Sequence, residues 1–200
     1  SGGSLSLFAA NNLSTELVGI QLDPNGVNNS ANSLFVILFA ALVGILWLWL
    51  AKYKIEPNTV VKFGLGFLFL AGGFYVFYKT QFFANSEGIT SLNLFTFGWF
   101  IITFGELCLS PIGMSIMTKL SPQKLQAVMM GMWFLASAYG QYLAGILGAN
   151  IAQASEHASN YEKLIIYTEG YKQLALYALV AGVVLILISP LVKKLMQEVR

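Results

Sequence analysis

The sequence predicts an all-α fold, a polytopic membrane helical bundle, and three observations carry that prediction. Charge is scarce, with 11 Lys and Arg and 9 Asp and Glu in 200 residues, or 10% against about 25% in an ordinary soluble domain. Apolar residues make up 56%, and mean hydropathy is +0.68. They also gather into long charge-free runs, of which LFVILFAALVGILWLWL is the clearest. A soluble globule needs polar side chains to cover its surface, and disordered chains and nucleic-acid surfaces both need charge, so none of these classes fits. A membrane β-barrel alternates polar and apolar residues over about 10 positions, and these runs do not alternate. A single cysteine, Cys108, excludes an internal disulfide or a thiolate cluster, and a single histidine, His157, argues against a histidine metal site. No metal and no cofactor are expected.

A helical span needs about 20 largely apolar residues. The first ten residues are apolar, too short to cross, and lack a basic signal-peptide start. Ser1-Gly2-Gly3 is either a linker or the cut end of a longer helix, expected over about 1–12. The next element, expected over 29–51, rests on the charge-free run 33–51. The one after it, 60–79, rests on 63–78, with Lys62 placed to snorkel. The run 89–118 contains one charge, Glu106. The element at 125–154 lies in a run without charge, and the last, 172–193, rests on 173–192. Five full spans are expected.

Dividing the charges among the links gives an orientation. The second link carries Lys52, Lys54 and Lys62 against Glu56; the fourth carries Lys119 and Lys124; the tail carries Lys193, Lys194 and Arg200 against Glu198. These alternate segments hold eight of the eleven basic residues. The others carry Glu16, Asp23, Lys79, Glu87, Glu156, Glu162, Lys163, Glu169 and Lys172. The positive-inside rule then predicts a cytoplasmic C-terminus and an external N-terminus. Five spans require opposite ends, so count and charge agree.

Glu106 is the one ionisable residue deep in any expected span, near the midplane. An acid there costs roughly 2.5–3.5 kcal/mol on insertion scales, and such residues face a polar cavity or pair with a cation. It is either a partner locking two helices or a transport or proton-handling group. Ser110 lies one turn further on the same face, and Pro111 deprives the Leu107 carbonyl of its helical partner, which predicts a kink. Gly105 and Gly113 either admit a close neighbour or bend the helix. Trp133, Ser137 and Gln141 form a semi-polar strip, and Gly140, Ala144 and Gly148 form a small-residue ridge suited to helix packing. Trp133 either lines a cavity or faces lipid. Asn12-Leu13-Ser14 and Asn28-Asn29-Ser30 match the glycosylation sequon, which matters only in a eukaryotic secretory pathway. His157 is expected in a solvated outer loop, and Cys108 as a small buried hydrophobe. No nucleophile–base set is present, so an enzyme is not expected.

The runs FGELCLSPIG at 104–113, TKL at 118–120 and MMGMWFLA at 129–136 resemble the tenth and eleventh helices of proton-coupled oligopeptide transporters, the POT family of the major facilitator superfamily. Residues 32–47 resemble the eighth helix, 57–64 with Lys62-Phe63 the start of the ninth, and 4–9 the end of the seventh. The resemblance implies helices seven, in part, to twelve: the C-terminal six-helix half of a twelve-helix fold with a central site. It implies that the chain starts inside the seventh helix and that an N-terminal half is its partner. Glu106 is then similar to the acid that receives the peptide amino terminus. Ser110 resembles a cavity residue one turn below, Trp133 the aromatic that shapes a side-chain pocket, and Asn32 an asparagine that contacts the peptide backbone. Met114 and Met130 resemble inner-gate residues. The peptide carboxylate needs a cation that this chain lacks at depth, so the resemblance places that cation in the other half.

The sequence departs from the pattern at Asn32-Ser33, where many members have Asn-Pro; at Ala41, where many have a second proline; and at Ala10-Asn11, where many carry an acid. The short link 79–90 resembles bacterial members rather than animal ones. The expectation is a bacterial inner-membrane, multi-pass symporter of di- and tripeptides, driven by protons, with peptides, protons, the lipid bilayer and the other half as partners, and no nucleic acid. The alternatives are a relative carrying nitrate or a modified amino acid, and a non-transporting helical fragment that only packs with a partner half.

Overall fold

The computed structural model describes the backbone of residues 4–119, 123–154 and 158–197. Within it, the side chains of 110–112, 114–119, 123, 143–144, 147–154, 193 and 195–197 are outside the description. The described helices are α1 (Ser4–Asn12), α2 (Pro24–Lys52), α3 (Thr59–Lys79), α4 (Leu92–Lys119), α5 (Gln126–Ala154) and α6 (Asn160–Gln197). The fold is all-α apart from a hairpin between α1 and α2. Strands β1 (Glu16–Leu17) and β2 (Ile20–Gln21) pair antiparallel around Val18-Gly19, whose φ angles are 50° and 81°. Positive φ at both central residues is the geometry that carries a two-residue hairpin. The Val18 N–H donates to Asn93 Oδ1 at 2.9 Å, which ties the turn to α4.

Local chemistry sets where the helices begin, and two begin before the expected spans. Asp23 caps α2, its Oδ2 accepting from the Gly26 N–H at 2.7 Å, and Pro24 takes the first helical position, where a missing N–H costs nothing. Helix α2 therefore starts at Pro24 instead of 29. It runs unbroken through Ser33 and Ala41, the positions where prolines would have bent it. At α6, Ser159 and Glu162 form a reciprocal cap: the Ser159 N–H donates to Glu162 Oε2 at 2.8 Å, and the Glu162 N–H to Ser159 Oγ at 3.3 Å. Helix α6 starts at Asn160 instead of 172. Its first turns bury Leu164, Tyr167, Thr168 and Tyr171, so Glu162, Lys163, Glu169 and Lys172 ride on a helix rather than in a loop. Absence of charge marks a span; a helix needs only one apolar face.

Helix α3 is the centre of the packing, lying chiefly against α6 and α4. Glycines allow the approach. A Cβ at Gly66 would stand 3.0 Å from the Gly105 carbonyl oxygen of α4, and one at Gly105 would stand 2.7 Å from the Gly66 carbonyl oxygen. Gly73 and Gly98 face each other in the same way one heptad away, and Gly64 faces Gly182 of α6. Backbones this close leave no room for side chains, the arrangement favoured between membrane helices.

The core sits toward the Asn12 end. Phe77 stacks on Phe95 at 4.8 Å, and Phe8 meets Phe95, Tyr167 and Tyr171 at 5.6–6.0 Å. Asn12 is fully buried and pins this end, donating through Nδ2 to the carbonyls of Gly88 at 2.9 Å and Asn160 at 2.8 Å. Asn28 is buried as well, so neither sequon asparagine stands open on the surface. At the opposite end, Lys62 does not snorkel outward. It is buried, paired with Glu56, and lies 4.5 Å from the centre of the Trp47 ring.

The remaining faces are apolar and open. Among the described residues, Pro24–Lys52, Thr59–Phe83, Leu92–Leu109 and Asn160–Val192 are long and apolar enough to cross a membrane. In α2 only 6% of that apolar stretch is buried, leaving Leu34, Ile37, Leu38, Leu42, Ile45 and Leu48 exposed. A surface of this kind belongs against lipid or another protein. In α5, Phe134, Leu135, Tyr139 and Tyr142 are exposed, as are Ser137 and Gln141. A Cβ at Gly140 would meet nothing within 4 Å. The expected ridge therefore has no packing partner at Gly140 among the described residues; Ala144 and Gly148 lie outside the described side chains. His157 is outside the described residues.

Candidate functional site

Helices α2 and α4 run side by side in the same direction. An aromatic zipper sets their register: Phe35 meets Phe100 at 5.5 Å, and Phe39 meets Phe104 at 5.5 Å. Phe100 and Phe104 also touch each other at 5.0 Å. Beside this zipper runs a second, polar ladder. On α2 it uses Asn28 and Asn32, one turn apart; on α4 it uses Trp99, Thr103 and Glu106, which share a face.

The ladder is continuous. Asn32 Nδ2 donates to Glu106 Oε2 at 2.9 Å. Thr103 Oγ1 lies 3.0 Å from Asn32 Oδ1 and 2.9 Å from the Trp99 carbonyl. Trp99 Nε1 donates to Asn28 Oδ1 at 3.3 Å, and Asn28 Nδ2 reaches Ser6 Oγ of α1 at 3.5 Å. Trp99 to Asn28 and Thr103 to Asn32 span the same sequence separation, 71, as parallel helices in fixed register require.

Burial grades along this ladder. Asn28 and Thr103 are buried, whereas Asn32 and Glu106 are part-exposed. The acid thus stands at the edge of the packed interior, with one oxygen taken by Asn32. A carboxylate has about four acceptor positions, so Glu106 keeps capacity for another donor. Among the described residues no lysine or arginine forms an ion pair with it. Chemically, this is a fixed carboxyl group with acceptor capacity left for a further donor or a cation.

The structure thus joins Asn32 and Glu106 directly. Gly105 is a point of close helix approach, not a bend, and it fixes the turn next to the acid. Trp133 packs two turns further along α4. Its ring lies on Gly113, where a Cβ would stand 2.1 Å from Cη2, and it meets Phe63 edge-on at 6.4 Å. Gly113 is two turns along α4 from Glu106, about 10 Å at 1.5 Å per residue. Trp133 is therefore wedged against α4 and α3 and only part-exposed. Met130 is part-exposed one turn earlier on α5. The side chains of Ser110, Pro111 and Met114 lie outside the description, although α4 is helical through all three. Cys108 is buried, as a small apolar residue would be.

Sequence reasoning missed Thr103, Trp99 and Asn28 as members of the ladder. The signal was there as spacing: two asparagines four apart on one apolar helix, and Trp, Thr and Glu at matching intervals on another.

A family model described as "PTR2: POT family" matches residues 1–164. The chain is 38% identical over 151 residues to the peptide transporter YePEPT of Yersinia enterocolitica, covering 74% of this chain and 29% of that protein. It is 31% identical over 188 residues to dipeptide and tripeptide permease A of Chromobacterium violaceum, covering 94% and 37%. Among solved structures, a peptide transporter POT in complex with sulfate superposes with a TM-score of 0.76 at 31% identity, covering 93% of this chain and 35% of that one. A POT family transporter in complex with 5-aminolevulinic acid gives 0.78 at 25% identity, covering 94% and 36%. The chain thus spans about a third of the length of these relatives.

Proposed function

The chain belongs to the POT family, and from that premise we propose that it supplies one half of the cavity of a proton-coupled symporter of di- and tripeptides. The observation that carries this reading is the Asn32–Glu106 pair at the edge of the α2–α4 interface. Glu106 receives the peptide ammonium, and Asn32 serves both the acid and the peptide backbone. Ser110 extends the polar face, Trp133 walls a side-chain pocket, and Met114 and Met130 close the inner gate. A companion N-terminal half provides the cation for the peptide carboxylate and the groups that couple transport to protons. The two halves rock about the midplane, and peptide contacts bias the inward- and outward-open states. The protein sits in a bacterial inner membrane with its C-terminus in the cytoplasm, the side favoured by its basic links.

Transport assays on the intact transporter in proteoliposomes test this. Glu106→Gln removes one charge-assisted hydrogen bond of about 1.5–3 kcal/mol, which corresponds to roughly a 10- to 150-fold loss in peptide affinity. Peptide-driven proton uptake falls with it. Wild-type uptake in Glu106→Gln overturns the assignment. The relative bound to 5-aminolevulinic acid favours a wider range, in which the same carboxylate takes the amine of a non-peptide substrate. Competition of dipeptide uptake by that acid separates the two.

A further inference from the structure

The fully buried Thr103 hydroxyl lies between the Asn32 amide and the backbone of its own helix. We infer that Thr103 is a positioning residue for substrate amine recognition: its hydroxyl fixes the Asn32 amide so that Nδ2, not Oδ1, faces Glu106. This inference rests on the reading of Glu106 as the ammonium acceptor and assigns its selectivity to a residue that touches no substrate.

The argument is one of donors and acceptors. A threonine hydroxyl has one proton and two lone pairs. Two oxygens compete for that proton, the Trp99 carbonyl at 2.9 Å and Asn32 Oδ1 at 3.0 Å. The Trp99 carbonyl already accepts the N–H of Thr103, four residues on in the helix. Asn32 Oδ1 has no other donor among the described residues. Donation to Asn32 therefore satisfies both oxygens, whereas donation to Trp99 leaves Oδ1 without a partner. With Oδ1 so occupied, Nδ2 points at Glu106. Reversing the amide would set Oδ1 against a carboxylate, acceptor against acceptor.

A carboxyl group held by an amide donor is kept in one rotamer. Among the described residues no side chain forms an ion pair with Glu106. Helix α1 has no ionisable side chain, and α2 has none before Lys52. Helix α3 brings Lys62, committed to Glu56 and Trp47, with Tyr75, Tyr78 and Lys79 at its far end. Helix α4 adds Cys108 and, 13 residues beyond Glu106, Lys119 at its end, and α5 brings Tyr139 and Tyr142, both exposed. The carboxyl group that meets the amine is therefore placed by the Asn32 amide, and the amide by Thr103.

The test compares dialanine with N-acetyl-dialanine, which lacks the ammonium, for binding to the intact purified transporter. Thr103→Val, which removes the hydroxyl at nearly constant volume, is expected to reduce the preference for the free amine about fivefold to tenfold, the worth of one hydrogen bond. Thr103→Ser, which keeps the hydroxyl, retains the preference to within about twofold. A packing defect alone would weaken both ligands equally. Should Thr103→Val fail to accumulate, Thr103→Ala removes the hydroxyl without any branched bulk and gives the same comparison. An unchanged preference in the hydroxyl-free variant overturns the proposal, as does an equal loss in Thr103→Ser. A wild-type transporter without preference for the free amine overturns the Glu106 reading itself, and this proposal with it.

Discussion

The contact between Gly66 and Gly105 makes a quantitative prediction. A Cβ at Gly105 would lie 2.7 Å from the Gly66 carbonyl oxygen, 3.3 Å from the Leu70 backbone nitrogen and 3.3 Å from Phe69 Cβ. The nearest of these is backbone at the centre of a helix, which cannot swing aside as a side chain can. Restoring an ordinary contact of 3.4 Å requires α3 and α4 to part by about 0.7 Å in a close-packed interior. Overpacking of this kind costs about 1–3 kcal/mol. Alanine returns about 0.5–1 kcal/mol of helix propensity over glycine, which leaves a net loss of up to about 2.5 kcal/mol. The shift per kcal/mol is about 2–4 °C for 150–250 residues and shrinks with chain length, so Tm of the intact transporter falls by a few degrees at most.

The matched control is Gly72→Ala on α3, whose Cβ would meet only Ile101 Cγ2, at 3.4 Å. It gains the propensity without the clash, so its Tm stays level or rises slightly. The assay is thermal unfolding of the intact transporter in detergent, followed by intrinsic fluorescence. Because the displaced turn carries Glu106, dipeptide affinity falls in Gly105→Ala and not in Gly72→Ala. Equal melting of the two variants would refute the claim that backbone contact, rather than side-chain packing, sets the α3–α4 distance.

Two further outcomes follow from the packing at either end of the bundle. Glu56→Gln strands the buried Lys62 ammonium, whereas Lys62→Met strands only Glu56, whose side chain is 38% exposed; Glu56→Gln should therefore melt lower than Lys62→Met, and the reverse order would show that the pair does not bury its charge. Phe77→Ala empties a fully buried site touching Phe95, Trp99 and Tyr171, at about 3–5 kcal/mol, and should abolish a monodisperse peak in fluorescence-detected size-exclusion chromatography, while Phe77→Leu preserves it.

Much of this was legible in the sequence because hydropathy averages over many residues. The scarcity of charge fixed the class, and the single acid in the run 89–118 fixed the centre of interest. The early starts of α2 and α6 were not legible from charge-free runs, since Asp23, Ser159 and Glu162 act as caps through local hydrogen bonds. The hairpin was hidden for another reason. Val18 is a poor residue for positive φ, and the turn is held by Asn93, far away in sequence. Thr103 was hidden because threonine is unremarkable in an apolar helix. Its meaning depends on Asn32, which reaches it only through the α2–α4 register.

That register explains why a helix with no polar group at the site still governs it. Helix α4 is gripped on two sides. Helix α2 holds it by the phenylalanine zipper and the Asn28–Asn32 ladder. Helix α3 holds it by the Gly66–Gly105 and Gly73–Gly98 contacts. Gly105 and Glu106 are consecutive, so they point about 100° apart around the helix: one meets α3 while the other meets Asn32. The turn that bears the acid is thus also a turn of closest approach. A shift of α3 therefore moves the carboxylate, whereas a hydrogen bond to Asn32 alone would let the helix roll. The absence of proline at Ser33 and Ala41 serves the same end, because a straight α2 keeps both rungs of the ladder in register. The precision of the site comes from backbone contact on one face and side-chain hydrogen bonding on the next, and neither is sufficient without the other.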